Sequence, residues 1–315
     1  MHLALLLFLV ILAFGARWFL RYDWTKTIDL RHPVQFLSLQ WQRTIVALIV
    51  PPLLLLSGAI AILFMGHHGQ MWGFPVGSLA CFAAGIGILL TVAQGIRVIF
   101  QHYLMQQWLT QLPQIELSHL ELPGVSPNTI VYGLDTPGLF AGQVGLTQSR
   151  IILSQGLLEQ LTPTQLQGVI AHEQAHYDYQ DPLFFMGLSW FRSVSGWLPG
   201  TERLWQDLLL LRECRADAQA ARQVDPLVLA ETLVTVVRST VEVPQTAFHY
   251  DWIAFDSLRP HDRLEFRVQS LIQANLEPII TEDFQGVFPG LFWVRATLLL
   301  SLLPLGTIVF HHMGM

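Results

Sequence analysis

Apolar positions are concentrated in blocks along this chain rather than spread evenly. Four segments, about 3–20, 45–66, 76–100 and 290–311, are each close to the roughly 20 apolar residues that a helix needs to cross a bilayer core. No Asp, Glu, Lys or Arg occurs between Thr44 and Ile96, and none follows Arg295. The first segment carries Arg17 near its end; it is read as a span because no basic residue precedes it and no small-residue cleavage site follows. The short uncharged link Gly66–Pro75 predicts a tight helical hairpin from the second and third spans.

Between the third and fourth blocks the pattern changes. Asn128–Leu153 alternates short β-branched runs with turn residues, which predicts a small sheet. From Thr162 to about Leu276 the pattern is helical. Thr162-Pro163-Thr164-Gln165 gives a strong start, with a threonine cap, proline at the first helical position and glutamine three residues after the cap. The apolar stretch Leu183–Pro199, with Trp190 and Trp197, suits either a core helix or a segment lying at a membrane surface. The expected fold is mainly α: a polytopic membrane protein with about four transmembrane helices and an α+β domain. Residues 1–100 hold three helices and a basic loop, 101–289 the folded domain, and 290–315 the fourth helix with a short tail.

Composition supports this division. The chain is 52% hydrophobic and 13% charged, with a mean hydropathy of +0.45, too apolar for an ordinary soluble enzyme. A formal charge of −6 and one lysine, Lys26, exclude the clustered basic surface that nucleic acid requires. Arg17, Arg21, Lys26, Arg31 and Arg43 crowd the loop between the first two spans, which predicts a cytoplasmic loop and, by alternation, a domain on the cytoplasmic side of a bacterial-type membrane. Cys81 and Cys214 suggest no disulfide framework, as befits a reducing compartment.

The sharpest chemical signal is His172-Glu173-Gln174-Ala175-His176. On a helix, residues four apart share a face, so two imidazoles converge on one ion with the glutamate beside it. A catalytic zinc takes a third protein ligand and keeps one position for water. Glu213, on an expected helix Leu204–Arg222 capped at Thr201, can supply that ligand. Asp217, one turn further on, can fix the tautomer of a ligating histidine. The plainer reading of Arg212–Asp217 is a salt-bridged helical face. Cys214 points about 100° away from Glu213 and is rejected as a ligand.

His-Glu-x-x-His followed by Glu-x-x-x-Asp on a later helix resembles the glutamate-zincin membrane proteases, both the BlaR/MecR-type antirepressor peptidases and the HtpX-like and CAAX prenyl proteases. The resemblance runs over about 130–270 and includes Gly145–Leu158, Asp181-Pro182 and Glu213. It implies a zincin-like domain holding one zinc per chain, with Glu173 as the general acid–base for peptide hydrolysis. Three spans before the domain and one after it resemble the BlaR/MecR arrangement, which implies regulatory cleavage of a repressor or signalling protein. BlaR/MecR receptors continue into a penicillin-binding sensor, whereas this sequence ends at Met315, so antibiotic sensing by that route is not expected. The alternatives are an HtpX-like quality-control protease and a non-catalytic zinc-binding receptor or scaffold, although a scaffold has no need of Glu173.

Among His249, Tyr250 and His261, the last is preferred as the donor to the oxyanion, because a histidine before Arg263 and Arg267 resembles the segment that closes related sites. Substrate is expected as an extended strand along Gly142, Gln143, Val144 and Gly145. The partners expected are thus a protein substrate and the bilayer, with no nucleic acid. The pairs His67-His68 and His311-His312 are read as juxtamembrane residues without a shared role, and Trp41, Trp72 and Trp293 as interface anchors.

Overall fold

The computed structural model describes residues 2–19, 33–65, 76–115, 130–146, 150–239, 261–276 and 291–313. Its contacts divide the chain into two compact units. One comprises Met1–Val98, Leu188–Leu208 and Gln285–Met315; the other comprises Ile99–Gly187 and Leu209–Phe284. Leu188–Leu208, which the sequence groups with 101–289, thus clusters with the apolar helices.

The first unit is built on α1 (His2–Phe19), α2 (Pro33–Met65) and most of α3 (Val76–Leu109). Among the described residues two stretches are long and apolar enough to cross a membrane: Leu37–Met65, with 29 residues, and Gly77–Leu109, with 33. Both helices outrun the spans read from hydropathy, because polar residues such as Gln40 and Gln106 are tolerated in a helix that an apolar window excludes. α3 leaves Phe82, Leu89 and Ile96 each more than 60% exposed. Exposed apolar side chains in such a row mark a surface for lipid or for another protein.

The expected first and fourth spans form shorter apolar helices. Residues 291–311 are interrupted, giving α10 (Leu291–Leu300) and α11 (Leu303–Met313). Pro304 has no N–H to donate to the carbonyl four residues back, and the helix breaks there. α1, α10 and α11 all pack on α2. Proline acts differently within α2, where Pro51 and Pro52 lie inside a continuous helix. Pro52 leaves the carbonyl of Leu48 without its usual partner, and Arg17 Nη2 donates to that oxygen at 3.3 Å and to Ser195 Oγ at 3.1 Å.

The second unit holds a four-stranded sheet: β1 (Gln114–Ile115), β2 (Ile130–Leu134), β3 (Ala141–Val144) and β4 (Arg150–Ser154). The order is β1-β2-β4-β3, with β2 parallel to β4 and the outer strands antiparallel to their neighbours. β1 falls in a segment that carries no strand pattern of its own. β3 occupies an edge, in register Gly142 opposite Ile152.

β4 passes directly into α4 (Gln155–Gln160). Ser154 Oγ accepts from Leu157 N at 3.2 Å and from Phe140 N at 2.9 Å, capping the helix and tying it to β3. The next residue but one must be glycine: a Cβ on Gly156 would collide with the carbonyl of Pro137. α5 (Pro163–Asp178) starts as the sequence expects, Thr162 and Gln165 forming a capping box with proline in the first turn. α5 packs against β3, β4 and α8 (Pro226–Ser239). Val131, Leu139, Ile151, Leu153, Leu157 and Ile170 form the core between sheet and helix. α6 (Asp181–Ser195) and α7 (Thr201–Ala220) follow, then α9 (His261–Leu276), which packs on α8. α7 begins at Thr201 itself. That hydroxyl donates back to the carbonyls of Ser195 and Leu198, and so does not cap the helix as expected.

Candidate metal centre

The buried face of α5 carries His172, Glu173 and His176, at 7%, 2% and 8% exposure, and α7 returns Glu213 to the same point. Small neighbours, Ala171 and Ala175, allow this close approach, and both are buried. His172 Nε2 lies 3.2 Å from His176 Nε2 and 3.3 Å from Glu213 Oε2; His176 Nε2 lies 3.7 Å from Glu213 Oε1. The imidazole planes are nearly perpendicular, at 87°.

The far side of each ring is committed to a carboxylate. His172 Nδ1 is 2.9 Å from Asp217 Oδ1, and His176 Nδ1 is 2.8 Å from Asp181 Oδ2. A carboxylate only accepts, so each Nδ1 carries the hydrogen and each Nε2 presents a lone pair inward. Two facing lone pairs at 3.2 Å, with a carboxylate oxygen beside them, repel one another unless a cation lies between them. A tetrahedral zinc with ligands at about 2.0–2.2 Å holds its donor atoms roughly 3.3–3.6 Å apart. The spacing and chemistry of His172, His176 and Glu213 fit that ion, and the three form a compact potential metal-ligand group.

Electrostatics point the same way. Burial opposes a charge on His172, but hydrogen bonds and charge from Asp217 and Glu213 outweigh it and raise its pKa to about 10. In the metal-free chain a proton is therefore the cation held there. Burial would also neutralise Glu213, yet the nearby Arg212 and Arg267 charges hold it well below the usual carboxylate range. Asp217 is held low against its own burial by Arg267, whose Nε and Nη2 donate to its two oxygens at 2.7 and 2.8 Å. Asp181 is held low by its bond to His176 and by the Arg215 charge, again against burial. Cys214 is buried, which pushes its thiol pKa up and keeps it protonated, a poor ligand state.

Glu173 and His172 line a cavity of about 40 Å³ together with Asp217, Arg267 and Ala141. That is room for a small number of water molecules. Ala141 comes from β3, so the edge strand Gly142–Val144 continues from the wall of this cavity, and Gly145 follows with φ 100°. Among the residues named from sequence, the structure brings together His172, Glu173, His176, Glu213 and Asp217. The side chain of His261 lies outside the described residues, as do His249, Tyr250, His67, His68, Trp72 and the side chains of Trp293, His311 and His312.

Three participants lacked a sequence role of their own. In the sequence Asp181 stands only in an Asp-Pro pair, Arg267 only as a neighbour of His261, and Arg215 only as one charge on a helical face. The one available signal for Asp181 is its place just beyond the end of the histidine helix.

Residues 106–198 match the family model of peptidase family M48. Over 95 residues the chain is 27% identical to a protein named Protease HtpX homolog from Methanocaldococcus jannaschii. That alignment covers 30% of this chain and 32% of the relative, so the chain spans about a third of that relative's length. The family match includes His172, Glu173, His176 and Asp181, and ends before Glu213. Glu213 and Asp217 are therefore brought into the cluster by the geometry, independently of the match. The matched segment thus holds two of the three clustered residues, His172 and His176, and the third comes from α7.

Proposed function

We propose that the chain is an integral-membrane zinc endopeptidase, with one zinc held by His172, His176 and Glu213. The observation that carries this reading is the convergence of two imidazole Nε2 atoms and a carboxylate within zinc-ligand spacing, beside a buried glutamate. Zinc in such a site supplies an acidified water and polarises the scissile carbonyl. Glu173, in the wall of the same cavity as His172, takes the proton from the attacking water and gives it to the leaving amine. Asp217 holds His172 in the tautomer that turns Nε2 inward. A protein substrate lies extended along Gly142, Gln143, Val144 and Gly145, adding a strand to the edge of the sheet. Oxyanion stabilisation is assigned to His261.

The likeness to an HtpX homologue favours quality-control cleavage of membrane proteins over the BlaR/MecR-type cleavage of a repressor. Arg21, Lys26 and Arg31, which fall in sequence between α1 and α2, favour a catalytic unit on the cytoplasmic side; Arg17 and Arg43 belong to the helices themselves. Substrate trapping separates the two substrate classes. Glu173→Ala protein, crosslinked in cells, should retain many membrane-protein fragments; one soluble regulator would favour the repressor reading. Purified Glu173→Gln that keeps its zinc and still cuts peptide as fast as wild type would overturn the enzymatic assignment.

A further inference from the structure

We propose that Asp181 is the positioning residue for His176, and that the backbone at Gln180 is shaped to deliver it; the inference rests on the zinc reading above. α5 and α6 are separated by only Tyr179 and Gln180. The turn closes through Tyr179 N–H to Ala175 O and Gln180 N–H to Tyr177 O, at 3.0 and 2.8 Å. Gln180 sits at φ 56°, the one non-glycine position of positive φ among the described residues. Side chains rarely adopt that conformation, and it persists where surrounding structure holds it, often at functional sites.

The consequence of this kink is local. Asp181, 2% exposed, is turned back along α5 so that Oδ2 meets His176 Nδ1 at 2.8 Å. Its other oxygen, Oδ1, accepts from Arg215 Nη2. The Arg215 guanidinium lies 4.0 Å over the ring of Tyr179, fixing the same turn from above. Both carboxylate oxygens thus serve a histidine and an arginine, although an aspartate at the start of a helix commonly serves the helix N-terminus. The unit Arg215–Asp181–His176 repeats, on the second imidazole, what Arg267–Asp217–His172 does on the first. Each series fixes a hydrogen on Nδ1 and so aims Nε2 at Glu213.

The test is zinc competition against a chromophoric chelator with the full-length protein in detergent, alongside the visible spectrum of the cobalt-substituted form. Asp181→Asn offers an amide N–H₂ where either Arg215 or His176 needs an acceptor. It should weaken zinc binding by about 10–100-fold, the usual effect of losing such a partner, and alter the cobalt absorption while leaving far-ultraviolet circular dichroism unchanged. Gln180→Gly should keep full affinity, and Gln180→Val should lower it. Should Asp181→Asn not fold, Arg215→Met carries the same test with a smaller loss. Wild-type affinity and an unchanged cobalt spectrum in the Asp181 or Arg215 variant would overturn this inference alone. No zinc in wild type, with Glu213→Ala indistinguishable from it, would overturn the metal reading and this inference with it.

Discussion

Replacing Arg267 with methionine removes a buried cation from two carboxylates while keeping a side chain of similar length. Arg267 donates to Asp217 at 2.7 and 2.8 Å and stands 3.3 Å from Glu213. At 2.7 Å and an effective dielectric constant of about 20, one such pair attracts by roughly 6 kcal/mol before desolvation is counted. Removing one partner of a buried pair costs about 3–5 kcal/mol net, because the remaining charge is left uncompensated. In a unit of this size each kcal/mol moves Tm by about 2–4 °C. Metal-free Arg267→Met should therefore melt roughly 6–20 °C below the metal-free parent, measured by tryptophan fluorescence in detergent with excess chelator. The drop should shrink with zinc present, since the ion supplies positive charge to Glu213. Asp217→Asn alone also removes the carboxylate that pairs with His172, and because both substitutions break the same cluster their losses should fall short of additive, a coupling that a double-mutant cycle isolates. A metal-free drop below about 2 °C, or strict additivity of the two substitutions, would refute the reasoning.

Zinc binding at pH 7 should release about one proton, because His172 in the metal-free chain, with its pKa raised to about 10, must lose its proton to bind the ion; calorimetry in buffers of different ionisation enthalpy reads this directly, and zero release would contradict the assigned shift. The same raised pKa makes the contribution of His172 to metal-free stability fully present below about pH 6.5 and lost as the pH rises through about 10, so melting scans of the chelated protein should show a decline across that window. Glu173→Gln should lower peptide cleavage by roughly 10²–10⁴-fold, as expected for a lost general base, with zinc content unchanged. Gly156→Ala should destabilise the protein by about 1–3 kcal/mol, since the added methyl meets the Pro137 backbone, which cannot rotate away; an unchanged Tm would show that the β2–β3 turn yields freely.

The parts of the site that sequence made legible are those fixed by helical period. His172 and His176 four apart, Glu173 between them, and Glu213 and Asp217 four apart need only a helix to share a face, and Thr162-Pro163 marks where the first helix starts. Which carboxylate meets which ring depends on how α5, α6, α7 and α9 meet in space. Arg267 lies 50 positions from its partner Asp217, and Arg215 lies 34 from Asp181, distances over which no periodicity reports. The left-handed Gln180 is equally silent, because glutamine carries no turn preference to announce it. Hydropathy located the apolar blocks but not their helix ends: α2 begins at Pro33, α3 runs to Leu109, and Pro304 divides the last block. β1 has only two residues and is formed by pairing with β2 rather than by its own pattern.

The central claim concerns the atoms that surround the ion, and zinc-edge X-ray absorption on the purified full-length protein addresses it most directly. About one zinc per chain, with two imidazoles and an oxygen shell at roughly 2.0–2.2 Å, is the expected result. A sulfur shell near about 2.3 Å, which would bring Cys214 into the site, or a protein that retains no zinc, would contradict it.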